Sequence, residues 1–357
     1  MSNIILAINP GSTSTKIAVY SDEENIFQKT IRHPAETIAQ YLKIIDQFEF
    51  RQNVIINELK EAGIDLQSIR VIVGRGGLLK PLEGGIYEVN QKMIDDLKSE
   101  INGEHASNLG ALIAYNIAQM IPNAKAFIAD PVVVDELQDV ARIAGHPLFE
   151  RISIFHALNQ KAIARIHAKS LNARYEDLNL IIAHLGGGIS VGAHYKGKVI
   201  DVNNALDGEG PFSPERSGTL PVGQLAKLCF RGNYTYDQVK KMITGKGGLV
   251  AYLDTNDAHQ VEIAAKEGNE KAKLIQDAMA YQIGKSIGEM ATVLKGKVDA
   301  VILTGGIAHN KDLVNYVRDM VEFIAPMSVY PGEDEMKALA NNGLLVILGD
   351  VKAKEYK

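Results

Sequence analysis

Cysteine is nearly missing from this chain. The only one among 357 residues is Cys229, which excludes an internal disulfide and a cysteine-based zinc site and leaves buried packing as its expected role. Long apolar runs are lacking too: no segment approaches the roughly 20 apolar residues that span a bilayer. The N-terminus, Met1-Ser2-Asn3-Ile4-Ile5-Leu6, has neither a basic leader nor a cleavage site, and its apolar run stops at Asn9-Pro10-Gly11, so it reads as a strand. No long basic block occurs and the formal net charge is -5, which argues against nucleic-acid binding. Several signatures are absent as well. There is no Gly-x-x-x-x-Gly-Lys-Ser/Thr, which excludes a Walker-type loop, and no Gly-x-Gly-x-x-Gly after a strand, which removes the case for a Rossmann site. His-Glu-x-x-His is missing, and the nine histidines show no metal-ligand spacing. The expected setting is reducing and cytoplasmic, with no membrane and no nucleic-acid partner.

What is present is a globular composition, 46% hydrophobic and 23% charged, in a chain long enough for two domains. Ile4–Ile8 and Lys16–Tyr20 read as strands, with Asn25–Arg32 as a third. The spacing of Ile38, Leu42, Ile45 and Phe48 predicts a helix over 36–62, stopped by Gly63. Val71–Val73 is a buried strand running into Gly74-Arg75-Gly76-Gly77. A helix follows over 108–121, and a strand over 126–129 ends in Asp130-Pro131. Near residue 150 the plan restarts. A helix over 156–171 precedes strands at 180–183, 189–194 and 198–202, and helices are expected at about 221–230, 235–243 and 270–294. A strand over 300–303 ends in Thr304-Gly305-Gly306, a helix begins near Asn310, and a last one covers about 334–348. Strand, glycine-rich turn, two more strands, then helices and buried strands thus occur twice, which predicts a duplicated mixed α/β domain.

Three glycine-rich turns carry the chemistry. In Asn9-Pro10-Gly11-Ser12-Thr13-Ser14-Thr15-Lys16, backbone N–H groups and hydroxyls converge as phosphate oxygens require, Lys16 adds a positive charge and Asn9 a metal-compatible oxygen. The plainer reading is a tight hairpin in which Ser and Thr serve only turn chemistry. In His184-Leu185-Gly186-Gly187-Gly188, successive glycines let the backbone approach a ligand, or form a bulge. Thr304-Gly305-Gly306-Ile307-Ala308-His309-Asn310 lets a base or ribose lie against the backbone and opens a helix that favours phosphate; glycine packing is its alternative. Arg75 and Arg216 sit in turn-rich loops, where a guanidinium fork pairs with carboxylate or phosphate oxygens or is a solvated surface charge. Asp130 ends a buried strand, as catalytic carboxylates and turn-capping aspartates both do. His105, His156, His184 and His309 lie beside Gly, Asn or Asp clusters.

Together these stretches, with Asn102-Gly103-Glu104-His105-Ala106-Ser107-Asn108, Asp130-Pro131-Val132-Val133-Val134-Asp135-Glu136, Phe155-His156-Ala157-Leu158-Asn159-Gln160 and Asp207-Gly208-Glu209-Gly210-Pro211-Phe212, resemble the acetate/butyrate kinase family of the acetate and sugar kinase, Hsp70 and actin superfamily. The likeness runs from about residue 4 to about 340 and is strongest to the family's butyrate and branched-chain fatty acid kinases. It implies a duplicated ribonuclease H-like (actin-like ATPase) fold. An N-terminal domain at 1–150 would be completed by a C-terminal helix at about 335–357, the second domain would span 151–334, and an ATP cleft would lie between them. It implies reversible, in-line phosphorylation of a short-chain carboxylate, butyrate or a branched homologue, by ATP with Mg²⁺, in a homodimer or an assembly of dimers.

Residue by residue, the resemblance assigns phosphate and metal to Asn9, Gly11, Ser12 and Lys16, and the substrate carboxylate to Arg75. Asp130 takes the place of the catalytic aspartate, orienting Mg²⁺ or its water, or positioning Arg75. His156 and Arg216 are implied to stabilise the transferring phosphoryl group, with His105 as a further active-site histidine. The nucleotide goes to His184, Gly186, Gly187, Gly188, Gly305, Gly306 and Asn310. Glu335 is matched to a late metal-linked glutamate, with Glu333 and Asp334 beside it. One departure is that Thr255-Asn256-Asp257-Ala258-His259 carries His259 where acetate kinases have an arginine. Competing readings are a sugar or polyol kinase, in which Asp130 would be a general base, and a chaperone-like or filament-forming ATPase.

Overall fold

The computed structural model describes residues 2–100 and 102–357. Its first strand, β1 (Ile4–Pro10), is inaccessible at Ile5, Leu6, Ala7 and Ile8. A strand apolar on both faces suits the centre of a sheet covered on both sides. It pairs antiparallel with β2 (Ser14–Ser21), Asn9 opposite Lys16, and β2 pairs with β3 (Glu24–Arg32), an exposed edge. Next come α1 (Ala35–Ile38) and α2 (Phe48–Glu61). The single helix expected over 36–62 does not form. Between the two, the Asp46 carboxylate accepts the Lys43 N–H at 3.2 Å and the Glu104 carboxylate accepts that of Ile44; such side-chain acceptors compete with helical pairing. Leu42, read as part of the apolar face, is 99% exposed.

The chain continues through β4 (Ile69–Arg75), β5 (Ile86–Glu88), α3 (Gln91–Lys98), α4 (Asn108–Gln119) and β6 (Lys125–Ala129). β5 and α3 have no counterpart in the sequence reading. α4 is apolar around most of its circumference and lies buried, as a core helix should. It approaches the end of β4 backbone to backbone: a Cβ on Gly110 would lie 2.3 Å from the Arg75 carbonyl oxygen, and one on Gly74 2.2 Å from that of Gly110. Only two glycines permit this contact, and it seats Arg75.

The second stretch runs α5 (Asp139–Arg142), α6 (Ala157–Ser170), β7 (Asn179–Leu185), β8 (Ile189–Tyr195), β9 (Lys198–Val202), α7 (Val222–Phe230), α8 (Tyr236–Ile243), α9 (Gly248–Leu253), α10 (Ala258–Lys266), α11 (Glu270–Val293), β10 (Ala300–Gly305), α12 (Lys311–Val321) and β11 (Met327–Pro331). The last elements are α13 (Glu335–Leu348) and β12 (Lys354–Glu355). The chain divides into two units, one ending at Val134 and resuming over Asp334–Lys357, the other Asp135–Glu333. Residues 135–150, placed with the first domain by the sequence reading, pack with the second unit. Gln138 N–H donates to the Ile200 carbonyl, and Glu136 accepts the Val199 N–H at 2.8 Å and pairs with Lys161 at 2.9 Å.

Each unit has its own sheet and core. The first sheet has the order β12-β5-β6-β4-β1-β2-β3 and the second β11-β10-β7-β8-β9. Within them β6-β4-β1-β2-β3 and β11-β10-β7-β8-β9 are the same figure: two parallel pairings, then two antiparallel ones. This is the duplicated mixed α/β architecture expected from the repeated turn pattern. In the first unit α13 lies on β1 and β4, with Gly343 so close that a Cβ there would sit 2.8 Å from a Val73 methyl. In the second, α11 packs on β8 and β7. Cys229, expected to be buried, is exposed, because α7 buries none of its residues. Among the described residues no helix is long and apolar enough to cross a membrane.

Candidate active site

In open α/β sheets, ligands bind beyond the carboxyl ends of the parallel strands. In the first unit Ile8 lies opposite Gly74, and Arg75 opposite Ala129. Asn9, Arg75 and Asp130 therefore leave the sheet side by side. α13 adds Glu335 in its first turn. The Arg75 Nη1 donates to both Glu335 oxygens, at 2.9 and 3.1 Å, and to Asn9 Oδ1 at 3.3 Å, while Asn9 Nδ2 donates to Glu335 Oε2 at 2.5 Å. Nε and Nη2 of Arg75 make no hydrogen bond among the described residues. One edge of the fork is anchored and the other is available. Of the three adjacent acids, Glu335 reaches this cluster with both carboxylate oxygens. Asp334 caps α13 through the Lys337 N–H, and Glu333 lies 3.3 Å from His184 Nε2.

Asp130 is buried, with backbone φ of 37°, a left-handed conformation costly for a non-glycine residue. Hydrogen bonds with Gly85 help hold it there: Gly85 N–H donates to its Oδ1 at 2.7 Å, and its own N–H donates to the Gly85 carbonyl. His105 is exposed, its Nδ1 2.7 Å from Ser107 Oγ. Partial desolvation by its neighbours and then the Arg75 charge lower its imidazole pKa. Lys16 projects from β2 opposite Asn9, exposed.

Beneath the first hairpin turn lies a residue the sequence reading did not single out. Arg51, on α2, is fully inaccessible. Its Nη1 donates to the carbonyls of Gly11 (2.7 Å) and Ser14 (3.2 Å) and to Thr15 Oγ1 (3.2 Å). Nη2 donates to the Ser12 carbonyl (3.1 Å) and to Gln47 Oε1 (2.7 Å). Turning these carbonyls inward leaves the exposed side of the turn to its N–H groups and hydroxyls. Among the described residues no carboxylate pairs with Arg51, and burial pulls its pKa down to about 10, still protonated at neutral pH. His33 Nε2, 2.8 Å from Thr15 Oγ1, completes the support. The one available signal, the Gln47/Arg51 spacing on a helix, points to no partner outside that helix.

The second unit repeats the arrangement with different groups. Thr304 lies opposite His184, and Gly305 opposite Pro331. His184, Gly305 and Gly332 therefore share one carboxyl edge, where Gly305 and Gly332 exchange backbone hydrogen bonds. His156 and His184 stack with ring centroids 3.8 Å apart and an interplanar angle of 15°. His156 Nδ1 is 2.9 Å from Ser190 Oγ, and His184 Nδ1 is 2.8 Å from Asn159 Oδ1. Neither Ser190 nor Asn159 was assigned a role from sequence. Arg216 donates to the Ala205 carbonyl at 2.5 Å, and burial lowers its pKa. A Cβ on Gly188 would fall 1.8 Å from Arg216 Nη1, so a side chain there would displace the arginine from this position. Gly186 N–H donates to the Gly188 carbonyl, and Ser213 Oγ–H to that of Gly187. Gly306 is exposed. Asn310 caps α12 through the Asp312 and Leu313 N–H groups and donates to Gln276 Oε1. Asp257 caps α10, and His259 pairs loosely with Glu262 at 3.4 Å, apart from these groups.

Among the described residues no cluster of three or more His, Cys, Asp or Glu is arranged to hold a metal. Asn9 Oδ1 and the Glu335 carboxylate are nevertheless hard oxygen donors in one place. That fits Mg²⁺, which takes one or two protein ligands and completes its shell with water and phosphate.

A family model described as the acetokinase family matches residues 149–347. Butyrate kinase 1 of Clostridium acetobutylicum is 59% identical over 353 residues, covering 99% of each chain, and Butyrate kinase 2 of the same organism is 57% identical with the same coverage. Among solved structures, acetate kinase of Porphyromonas gingivalis superposes with a TM-score of 0.80 at 19% identity, over 97% of this chain and 100% of that one. A propionate kinase of Francisella tularensis subsp. tularensis SCHU S4 gives 0.75 at 18%, over 95% and 98%. At such identities the structural likeness speaks to the fold.

Proposed function

The chain belongs to the acetokinase family, and from that premise we propose that it is an ATP-dependent kinase that phosphorylates the carboxylate of a short-chain fatty acid, butyrate or a branched homologue. The observation that carries the acceptor class is Arg75: a guanidinium with one edge fixed by Glu335 and Asn9 and the other unengaged. Such a fork reads a carboxylate in bidentate fashion. A sugar hydroxyl would not need it. The relatives' names support butyrate over shorter acids, and a pocket separates such acids by only about 1–3 kcal/mol per methylene.

The nucleophile is already ionised at neutral pH, so no general base is required. The difficulty is to bring one anion to another and to stabilise charge spread over the equatorial phosphoryl oxygens. The first unit supplies Arg75 for the acid, and the Gly11–Lys16 turn with its N–H groups, hydroxyls and Lys16 charge for phosphate. The second supplies His156 and Arg216 as donors to the transferring group, and His184, Gly186–Gly188, Gly305, Gly306 and Asn310 for the nucleotide. Asn9 and Glu335 would hold Mg²⁺, which when bound neutralises phosphate charge. Asp130, buried and fixed by Gly85 at the sheet edge, would orient Mg²⁺ or its water, or position Arg75. A cytoplasmic homodimer, or an assembly of dimers, completes the reading.

The test is a coupled ADP-release assay over an acid series, with glycerol and a hexose as controls. ADP release should depend on the acid and favour butyrate or isobutyrate over acetate. Release with the polyols, or in the absence of any acceptor, would overturn the assignment. Arg75→Ala should raise KM for the acid far more than KM for ATP; the opposite pattern sinks the role of Arg75.

A further inference from the structure

A line of buried polar side chains runs from behind His156 into the core of the second unit. Tyr175 Oη is 2.7 Å from His194 Nδ1, and His194 Nε2 is 2.9 Å from Gln160 Oε1. Gln160 Nε2 is 2.8 Å from Ser190 Oγ, which is 2.9 Å from His156 Nδ1. Gln160, Ser190 and His194 are wholly inaccessible. A buried polar chain of this kind is costly unless each member is satisfied, and satisfaction here imposes a direction.

One carbonyl sets that direction. The backbone oxygen of Ser190 lies 3.1 Å from one end of the Gln160 amide. A carbonyl can only accept, so that end is the NH₂ group and the orientation of Gln160 is fixed. Its two hydrogens go to the Ser190 carbonyl and the Ser190 hydroxyl oxygen, and its Oε1 must accept from His194 Nε2–H. His194 is neutral, since burial and then the Lys161 charge hold its pKa well below the usual value, so its Nδ1 accepts from the Tyr175 hydroxyl. At the other end, Ser190 Oγ already accepts from Gln160, and more distantly from the His156 backbone N–H at 3.5 Å. Its own hydrogen therefore goes to His156 Nδ1.

We propose that Ser190 and Gln160 are positioning residues for His156, holding its Nδ1 as an acceptor and so its ring hydrogen on Nε2, from where it acts as a hydrogen-bond donor to the transferring phosphoryl group. This rests on the role given to His156 above. A ring of the other tautomer would present a lone pair at Nε2, repelled by phosphoryl oxygens. Ser190 sits opposite His184 in the β7–β8 pairing, so the same hairpin that carries the glycine-rich turn also carries the group that orders His156.

The tautomer can be read without turnover. In protein labelled with ¹⁵N-histidine, long-range ¹H–¹⁵N correlations distinguish the protonated ring nitrogen, and the His156 signals are identified by their loss in His156→Gln. The wild type should show hydrogen on Nε2 and none on Nδ1. Ser190→Ala should give a mixture or the reverse, with kcat down about 10- to 100-fold and both KM values within about two-fold. Ser190→Thr, which keeps the hydroxyl, should restore both readouts. If Ser190→Ala fails to fold, Gln160→Met offers the same test from one link further back. Hydrogen on Nδ1 of His156 in the wild type, or an unchanged tautomer and kcat in folded Ser190→Ala, overturns the proposal. Near-normal turnover in His156→Ala would instead sink the role of His156 itself while leaving the tautomer result standing.

Discussion

Replacing Arg51 by methionine should damage the first hairpin turn more than any change to the residues displayed on it. The substitution keeps an unbranched apolar stem and removes every donor. Carbonyls of Gly11, Ser12 and Ser14, the Thr15 hydroxyl and Gln47 Oε1 each lose a hydrogen bond of 2.7–3.2 Å. Bonds from a charged donor contribute about 1.5–3 kcal/mol each, and a buried acceptor left bare costs about 1–3 kcal/mol. Ser12 is exposed, so water can serve part of the turn, and removing the buried charge recovers desolvation energy. The balance is a loss of about 2–4 kcal/mol in the first unit and a turn free to rotate its carbonyls outward, toward bound phosphate. KM for ATP should rise at least ten-fold, and KM for the acid much less. Arg51→Lys keeps the charge but not the fork and should fall between. Thermal unfolding and steady-state kinetics test both effects. His33 gives a local readout: its pKa is held at about 4 by burial and then by the Arg51 charge, so it should titrate higher in Arg51→Met. Unchanged stability with an unchanged ATP KM would refute the reasoning.

Gly188→Ala places a methyl where Arg216 passes; kcat should fall at least ten-fold in a protein with near-native circular dichroism, and normal turnover would show that Arg216 can move without consequence. Lys161→Met breaks the buried 2.9 Å ion pair with Glu136, whose side chain is 4% exposed, and the hydrogen bond to the Gly197 carbonyl, and should cost about 3–5 kcal/mol; denaturant titration checks this, and unchanged stability would refute it. Acid should destabilise the fold. His33, lowered to about 4, and His194 refuse a proton that the unfolded chain takes up near pH 6.5. Their contribution is therefore complete above about pH 6.5 and is lost as pH falls toward 4, up to ~3 kcal/mol for His33 and roughly half that after solvent screening. A melting temperature flat between pH 6.5 and 4.5 would contradict it.

The features legible in the sequence were those written locally. Apolar runs stopped by Asn-Pro-Gly or a glycine triplet gave both hairpins, and the carboxyl ends of β1, β4, β6, β7 and β10 were marked by glycine or Asp-Pro punctuation. Arg75 and Asp130 were found because they sit in that punctuation. Arg51, Ser190, Gln160 and Lys161 lie inside regular elements, where a polar residue carries no local sign of its partner 25 or more residues away. The interrupted helix over 36–62 failed for a related reason: its apolar spacing is real, but Asp46 and Glu104 take the backbone donors it needed. Three-residue β5 is too short for periodicity to register, and Cys229 was misplaced because α7, amphipathic in pattern, buries none of its residues.

The division of the first unit into two stretches of chain has a consequence for the order of events during synthesis. Residues 135–333 leave the ribosome before α13 does, so the second unit can complete its core first. The first unit must wait with β1 and β4 uncovered on the side that Gly343 will close. Glu335, which anchors Arg75, arrives with the same helix. Any chain cut short before α13 therefore carries an uncovered apolar sheet and an Arg75 without its Glu335 anchor together, and quality control that recognises the first also removes the second.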